Sequence, residues 1–388
     1  MADKELAFTL INPATLAKSR SGGIIARYMS RTGLELVGAR MFAPGKALAS
    51  AYAALAGRDG FYPARTAKRM SEYIRTQYAP DAQSGRPRRV MMLLFEGKDA
   101  VRKVSAATGN PQTAWKSGDT IRGTFGDLVT DAKGRDVYFE PAVLVGPDVR
   151  KTREVLKLWS AHSQRDGGIV DHAGDVPRGK GVQSTLVMLK PDNFRFPNLR
   201  AGQIIDVLSR SGLHIVGAKK FSMTVAQAEE FYGPVRAVLR DKLSGRFGEQ
   251  AREILEKELG YAIPHKAAQT LTRLVGPLGA DNQFEAIVEF MTGYRPSEVD
   301  PDRKTTLGKE HELALIYRGP NAVPVIRDIL GPTDPSKAPV GTVRKEFGKN
   351  IMVNATHASD STRNSAREIK ILNVAEDTIS PLVNKYYR

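Results

Sequence analysis

The feature that most constrains the fold of this chain is an internal repeat. The segment SRTGLELVGARMF at residues 30–42 recurs as SRSGLHIVGAKKF at residues 209–221. Shorter matches precede and follow this segment in the same order in both halves of the chain: 10–13 with 188–191, 95–97 with 317–319, and 120–122 with 342–344. Chance does not easily produce ordered matches, and 388 residues exceed the usual size of a single core. The sequence therefore predicts two copies of one domain.

The matches also suggest where the two domains begin and end. We assign residues 1–162 to copy one, 163–183 to a linker rich in glycine, proline and charge, and 184–388 to copy two. The matched segments lie further apart in copy two, which places an insertion near residues 233–281. Apolar residues at helical spacing before Gly260 indicate that this insertion is helical, with the glycine ending a helix.

Within each copy, short apolar segments alternate with helical ones. In copy one, residues 7–11, 34–38 and 90–95 are typical of strands, and a helix is expected to begin near Gly22. This alternation of few, short strands with helices favours an α+β fold. We predict two ferredoxin-like βαββαβ sandwich domains with antiparallel sheets, the second carrying the helical insertion.

The amino-acid composition limits the cellular compartments and the binding partners that we expect for this protein. The chain has no cysteine, which excludes disulfides, thiolate metal sites and cysteine nucleophiles. Its N-terminus lacks a signal-peptide pattern and no apolar run is long enough for a membrane span, so we expect a soluble, cytoplasmic protein. A net charge of +16 favours partners that carry phosphate. Nucleic acid stays possible through clusters such as residues 86–89, although no nucleic-acid-binding motif accompanies them.

One histidine has the surroundings of a nucleophile. His357 lies among small polar residues in NATHASDS, at 354–361, downstream of Arg344. A neutral imidazole with fixed cations nearby can accept a phosphoryl group. The five other histidines have no partner at the spacing of a metal site or a catalytic triad.

The segments around Arg344 and His357, in this order and spacing, resemble the active-site region of nucleoside diphosphate kinases. The resemblance implies the ferredoxin-like fold and transfer of the γ-phosphate from a nucleoside triphosphate to a nucleoside diphosphate, by a ping-pong mechanism through phosphohistidine. It implies Mg²⁺ held through the nucleotide phosphates, with no metal site on the protein. It also implies a homo-oligomer formed through the kinase-like domains.

Matching the family's motif residue by residue gives two predicted groups in copy two. The residues implied in catalysis are His357, Lys190, Tyr232, Ser359 and Glu368. The residues implied in nucleotide binding are Lys190, Ile287, Arg327, Thr333, Arg344 and Asn354. In this resemblance, the lysine reaches the transferred phosphoryl group, the tyrosine hydroxyl approaches the imidazole, and the serine and glutamate orient it. The base pocket departs from the family, because Gln283 and Phe284 stand where two adjacent aromatic residues are usual.

Copy one lacks the reactive groups. Asn12 replaces the lysine, and aligning residues 145–148 with 357–360 puts Val145 at the nucleophile and Ala142 at the asparagine. The loop after Arg122 is also longer than its counterpart in copy two. We therefore predict that copy one is catalytically inert, although Arg122 leaves nucleotide binding open. The alternative for the whole chain is a non-catalytic nucleotide- or nucleic-acid-binding assembly protein that retains the fold.

Overall fold

The computed structural model describes residues 4–387. It divides into two compact units, the first comprising the described residues up to Phe221 and from Glu312 onward, and the second Ser222–His311. The matched segments of both copies lie in the first unit, and the second unit, which is part of copy two, is helical. None of the helices within residues 4–387 is long and apolar enough to cross a membrane.

Copy one is built around a four-stranded sheet. Its strands are β1 Glu5–Ile11, β2 Glu35–Phe42, β3 Val90–Gly97, β4 Asp127–Thr130, β5 Asp136–Glu140 and β6 Val143–Val145. Its helices are α1 Pro13–Ala17, α2 Ser21–Thr32, α3 Lys46–Gly57, α4 Ala64–Gln77, α5 Ala100–Thr108, α6 Ile121–Phe125 and α7 Val149–Asp166. The sheet order is β2-β3-β1-β6, with every pair antiparallel, while β4 and β5 form a separate hairpin.

The position of the central strand β1 explains why its sequence is mostly apolar. Leu6, Phe8 and Leu10 point to one face of the sheet and Ala7 and Ile11 to the other, and both faces are covered by helices. A strand buried on both faces shows a continuous apolar run instead of alternation with polar residues.

Copy two repeats this architecture. Its strands are β7 Val182–Leu189, β8 His214–Phe221, β9 Glu312–Pro320 and β10 Thr356–Ala358. The helices that follow β7 are α8 Arg200–Ser209, α9 Val225–Leu259, α10 His265–Thr292, α11 Ala322–Leu330, α12 Val343–Phe347, α13 Thr362–Ile371 and α14 Ile379–Tyr386. Single 3-10 turns occur at Ala114–Lys116, Pro191–Asn193, Pro296–Glu298, Pro301–Arg303 and Pro335–Lys337.

The sheet of copy two has the order β10-β7-β9-β8, the same arrangement as in copy one, and it is antiparallel throughout. Even the irregularities match, because each sheet has a bulge just before the repeated glycine, at Gly38 and at Gly217. The predicted fold class is confirmed, including the helical insertion in copy two. The domain limits drawn from the sequence stay a prediction.

The two copies pack against each other through α2 and α8. A Cβ atom on Gly22 would lie 2.3 Å from the backbone nitrogen of Asp206, and one on Gly202 would lie 2.2 Å from the backbone nitrogen of Ala26. Such distances are far inside van der Waals contact, so the helix backbones approach more closely than any residue with a side chain permits. The edge strands β2 and β8 also lie against each other across the same junction.

The C-terminal segment of copy two crosses onto copy one. Ile379, Val383 and Tyr387 are buried in the core that covers one face of the copy-one sheet. Two matched cations of the repeat hold the chain that leads there: Arg40 donates to the carbonyl of Ala375 at 2.9 Å, and Lys219 donates to that of Leu372 at 2.7 Å. The last helix therefore ties the two copies together.

The second unit is a hairpin of α9 and α10. A capping box between Thr224 and Gln227 begins α9, and Gly260, in the left-handed conformation with φ 77°, ends it as the sequence predicted. The helices meet closely at glycines such as Gly248, whose Cβ would lie 2.2 Å from the hydroxyl of Thr272. The insertion is therefore not a separate element, since α9 already begins at Val225 and continues through it without a break.

Candidate active site

The proposed nucleophile lies on a short edge strand whose neighbours hold it in place. In β10, His357 pairs with Met188 of β7. Its Nε2 lies 2.9 Å from Oε2 of Glu368, and the hydroxyl of Ser359 donates to the same carboxylate oxygen at 2.6 Å. The glutamate is buried on α13, whereas 22% of the histidine side chain is exposed. A carboxylate accepts the Nε2 proton, so Nδ1 is the ring nitrogen that carries the lone pair.

Lys190 and Asn354 form a second part of the site. Lys190 follows the last residue of β7, and its ammonium group donates to Oδ1 of Asn354 at 2.7 Å and to the carbonyl of Met352 at 3.2 Å. The asparagine amide in turn donates to the carbonyl of Thr333 at 3.0 Å. These bonds join the end of β7, the segment before β10 and the turn after α11.

Arg344 supplies a third part, from α12. It donates to the carbonyl of Gly331 at 2.7 Å and to that of Thr356 at 3.2 Å. The second bond anchors the guanidinium to the residue just before His357. A planar guanidinium held in this way presents a fixed positive charge beside the imidazole.

The electrostatics of the site favour an anion. Burial of the ammonium group, and secondly the charge of Arg344, lower the pKa of Lys190 from 10.5 to about 8. Two neighbouring cations are costly to keep charged away from water. The nearby carboxylate of Asp192 is itself engaged by Arg200 at 3.1 Å. Phosphate oxygens would therefore find two neighbouring positive charges at this place.

Arg327 and Thr333 lie at the outer side of this cluster, both exposed. Arg327 is close enough to act on Asp360, whose pKa is lowered chiefly by a hydrogen bond from Asn364 and in smaller part by this guanidinium. The structure thus gathers most of the predicted residues around one histidine: Lys190, Arg327, Thr333, Arg344, Asn354, His357, Ser359 and Glu368.

The two remaining predicted residues belong to the helical unit. Tyr232 lies on α9 with its side chain buried against Phe231, their ring centroids 4.9 Å apart. Ile287 lies half-buried on α10. Their predicted roles beside the imidazole and the base stay predictions.

Sequence reasoning missed one residue that shapes the site. Asn193 is fully buried, and its amide donates to the carbonyls of Lys190 at 3.0 Å and Ala355 at 2.8 Å. It therefore holds the lysine and the chain before β10 in register. Its position three residues after the lysine was the only available signal, because burial of a polar residue cannot be read from local sequence.

No group of three or more histidine, aspartate or glutamate residues within 4–387 is arranged to hold a metal ion. The cluster around His357 instead presents cations and amides, which bind phosphate oxygens. A magnesium ion carried by a bound phosphate compound would fit this cluster, because it would neutralise phosphate charge.

Comparison with known proteins gives the family of copy two. The family model for nucleoside diphosphate kinase matches residues 183–239 and 305–377. The second copy is a nucleoside diphosphate kinase family domain. The unmatched residues 240–304 fall within the helical insertion and the loop after it.

Several nucleoside diphosphate kinases are similar to this half of the chain. That of Staphylothermus marinus is 28% identical over 191 residues, covering 49% of this chain and 92% of the relative. That of Ehrlichia canis is 29% identical over 189 residues, covering 49% and 91%. Among solved structures, the apo kinase from Encephalitozoon cuniculi aligns with 53% of this chain and 99% of its own, at 21% identity and a TM-score of 0.31.

Copy one repeats one part of the cluster around His357. Arg122 donates to the carbonyl of Gly109 and, at 3.4 Å, to that of Val143. These are the same two contacts that Arg344 makes at the matched positions of copy two. The guanidinium and its surroundings have therefore kept their geometry in both copies.

The sheet register corrects the sequence alignment at the nucleophile. Leu144 pairs with Leu10 of β1, just as His357 pairs with Met188 of β7. The residue that occupies the histidine position is therefore Leu144, and the assignment to Val145 was wrong by one position. The β4–β5 hairpin lengthens the preceding loop, so that the sequence alone did not determine where the gap belongs. A leucine accepts a phosphoryl group no better than a valine does.

The same shift applies to the asparagine position. Ala142 and Ala355 both adopt positive φ, 60° and 67°, directly before the matched strands β6 and β10. Ala142 therefore corresponds to Ala355, and the counterpart of Asn354 is Pro141. The earlier assignment of Ala142 to this position was wrong for the same reason.

In copy one, a buried hydrogen-bond network surrounds Asn12, the residue that matches Lys190 of copy two. The amide of Asn12 donates to Glu140 at 2.9 Å, the hydroxyl of Tyr73 donates to the other oxygen of that carboxylate at 2.6 Å, and the hydroxyl of Tyr78 donates to Asn12 at 2.6 Å. Burial raises the pKa of Glu140. Every member of this network is buried and bonded within copy one, so it serves the core and not a substrate.

Proposed function

We propose that copy two transfers the γ-phosphate of a nucleoside triphosphate to a nucleoside diphosphate, with His357 as the intermediate carrier. The observation that supports this most is the imidazole itself, bonded through Nε2 to Glu368 and set beside Lys190 and Arg344. This arrangement leaves the nucleophilic lone pair on Nδ1 and surrounds the site with charge of the sign that phosphate requires.

The transfer runs in two balanced halves. In the first, the Nδ1 lone pair of His357 attacks the γ-phosphorus, the bond to the bridging oxygen breaks, and the nucleoside diphosphate leaves with that electron pair. In the second, a terminal oxygen of another nucleoside diphosphate attacks the same phosphorus, and the electron pair of the N–P bond returns to Nδ1. The Nε2 proton stays on the ring throughout, where Glu368 balances the positive charge that develops on the imidazole.

The other residues of the site act on charge and position. Lys190 and Arg344 stabilise the oxygens of the transferred group, because their positive charges are fixed before the reaction begins. Magnesium, when bound to the nucleotide, would reduce the phosphate charge that these residues face. Tyr232 and Ile287 are proposed to act at the imidazole and the base, as the family resemblance implies.

Incubation with γ-labelled ATP and Mg²⁺ tests this proposal. We expect label on the protein that is stable to base and labile to acid, as a phosphoramidate is, and we expect added GDP to remove it as labelled GTP. Nucleotide binding without any protein label would instead support the alternative, a binding protein that has kept the fold. Label that is stable to acid would mean that a hydroxyl, and not an imidazole, is the acceptor.

The pKa of Lys190 predicts how nucleotide affinity depends on pH. The free protein loses the ammonium charge as pH rises through about 8. Because the charged form binds phosphate, the association constant for a nucleoside diphosphate should fall roughly tenfold per pH unit above that value. In Lys190→Met, affinity should be lower at pH 7 and unchanged between pH 7.5 and 9.5. Calorimetric titrations of both proteins measure this, and equal slopes would show that another group titrates.

The same pKa has a consequence for stability. The pKa of Lys190 falls from 10.5 in the unfolded chain to about 8 in the folded protein. The contribution of this lysine to folding stability is therefore fully present only above pH 10.5, and it is lost as pH falls through about 8. Near neutral pH the charged amine therefore disfavours the folded state, and bound phosphate should remove that cost.

A further inference from the structure

Copy one contains an open cleft at the place that corresponds to the phosphate-binding side of copy two. The cleft has a volume of about 340 Å³, within the range of small-molecule sites. It lies between the end of α5, the turn that follows it, the segment before α4, and the end of β6. Among the side chains that the structure describes, Arg122 is the only charged one that lines it.

The guanidinium at this cleft lacks a counter-charge. Arg122 is 3% exposed, and its hydrogen bonds go to two backbone carbonyls. Within residues 4–387, no carboxylate lies at ion-pair distance from it and its Nε has no hydrogen-bond partner. Buried charges in proteins are normally paired, because removal from water is costly. An anion in the cleft would provide the missing partner.

The amount of positive charge limits the ligand. Along the matched helices and turns, copy one has Asn12, Ser105 and Pro111 where copy two has Lys190, Arg327 and Thr333. Asn12 is already bonded to Glu140, away from any ligand. A single guanidinium matches a single phosphate group, whereas the triphosphate chain of a kinase substrate needs several cations.

The remaining walls fit a nucleoside. Tyr62, Pro63, Val145 and Pro147 offer apolar surface, including one aromatic ring on which a base can stack. At one edge, the amide of Gln112 donates to the hydroxyl of Thr66 at 2.9 Å, which leaves the carbonyl of this amide as an acceptor for the ligand.

We propose that copy one binds a nucleoside that carries a single phosphate, with Arg122 holding the phosphate. This ligand is not a substrate, because Leu144 occupies the position of the nucleophile. The proposal concerns copy one alone and does not depend on phosphoryl transfer by copy two.

Two substitutions at one exposed alanine test the proposal in the full-length protein. Ala106 lines the cleft from α5, where Ala106→Trp would fill it and Ala106→Glu would place a carboxylate near Arg122. The control is Arg102→Trp, which places the same tryptophan side chain at an exposed position of that helix outside the cleft. The probes are AMP, GMP, 3′,5′-cyclic AMP and inorganic phosphate, titrated by calorimetry.

We expect the unmodified protein to bind a nucleoside monophosphate or the cyclic nucleotide, and both Ala106 variants to bind it at least about tenfold more weakly, a loss of 1.4 kcal/mol. The Arg102→Trp protein should bind normally. Preference between the linear and cyclic probes identifies the form of the phosphate.

Three results would overturn the proposal. These are no binding by any nucleotide probe at millimolar concentration, unchanged binding in both Ala106 variants, or inorganic phosphate binding as tightly as the nucleotides. Phosphohistidine formation, measured in the same samples, reports on His357 and should be equal in all of them. The absence of nucleotide binding by copy one can thus be distinguished from the absence of phosphoryl transfer by copy two.

Discussion

His357→Ala protein is expected to form no phosphoenzyme and to lose nucleotide exchange by at least about four orders of magnitude. The reason is that Nδ1 of this ring is the only protein atom in the proposed mechanism that bonds to the transferred phosphorus. Without it, Lys190 and Arg344 can still bind a nucleotide, but the two half-reactions have no carrier between them. Affinity for nucleoside diphosphates should therefore change little while turnover disappears.

Label transfer from γ-labelled ATP and steady-state exchange measure the two effects separately. The matched control is His311→Ala, because His311 is an exposed histidine in the other compact unit that hydrogen-bonds to Ser222 at 2.9 Å. The control should keep full label and full exchange. Residual exchange in His357→Ala protein at the level of the control would mean that the reaction does not pass through this histidine.

Gly22→Ala is expected to destabilise the first unit by about 3 kcal/mol, although alanine is the better helix former. The added methyl group would lie 2.3 Å from the backbone nitrogen of Asp206 and 2.7 Å from the carbonyl oxygen of Gly202. Both are backbone atoms of α8, so no side chain can rotate away to make room. The two helices must separate, which opens the junction between the copies.

The adjacent Gly23→Ala is the matched control on the same helix. Its methyl group would meet only the ring of Phe125, at 2.9 Å, and the far end of a side chain can shift. We expect a change within about 1 kcal/mol, because helix propensity offsets the displaced ring. Urea unfolding followed by tryptophan fluorescence measures both, since Trp115 and Trp159 lie in copy one. Equal stability of the two variants would contradict the close packing of α2 on α8.

Gly202→Ala should cost about as much as Gly22→Ala, and the double variant less than the two costs added together. Both glycines serve the same crossing, so helices already separated by one methyl group have room for the second. Strict additivity would mean that each glycine is needed for a reason of its own.

Much of the fold could be predicted because the repeat carries local signals twice. The shared segment places a helix, its terminal glycine and an edge strand in each copy, and Gly33 and Gly212 both adopt positive φ there, 62° and 66°. Local signals of this kind depend on residues near in sequence, so they can be recognised without knowledge of the partners.

Prediction failed where a gap had to be placed between two matched segments. The β4–β5 hairpin lengthens the loop before β6, so the sequence alignment was displaced by one residue. It placed Val145 at the position of the nucleophile, where the strand pairing places Leu144. In a strand, a shift by one residue turns the side chain to the opposite face of the sheet. Hydrogen bonds between strands decide such a shift, and these join residues far apart in the chain.

The sequence by itself determined the twofold repeat, the βαββαβ architecture, the helical insertion and the histidine among small polar residues, because each is encoded in periodicity or in a contiguous motif. Tertiary structure alone decided the register of β6, the depressed pKa of Lys190, the crossing of α14 onto copy one and the unpaired charge of Arg122. These depend on burial and on contacts between distant residues, and the free energy of a charge depends on its surroundings far more than on its neighbours in the chain.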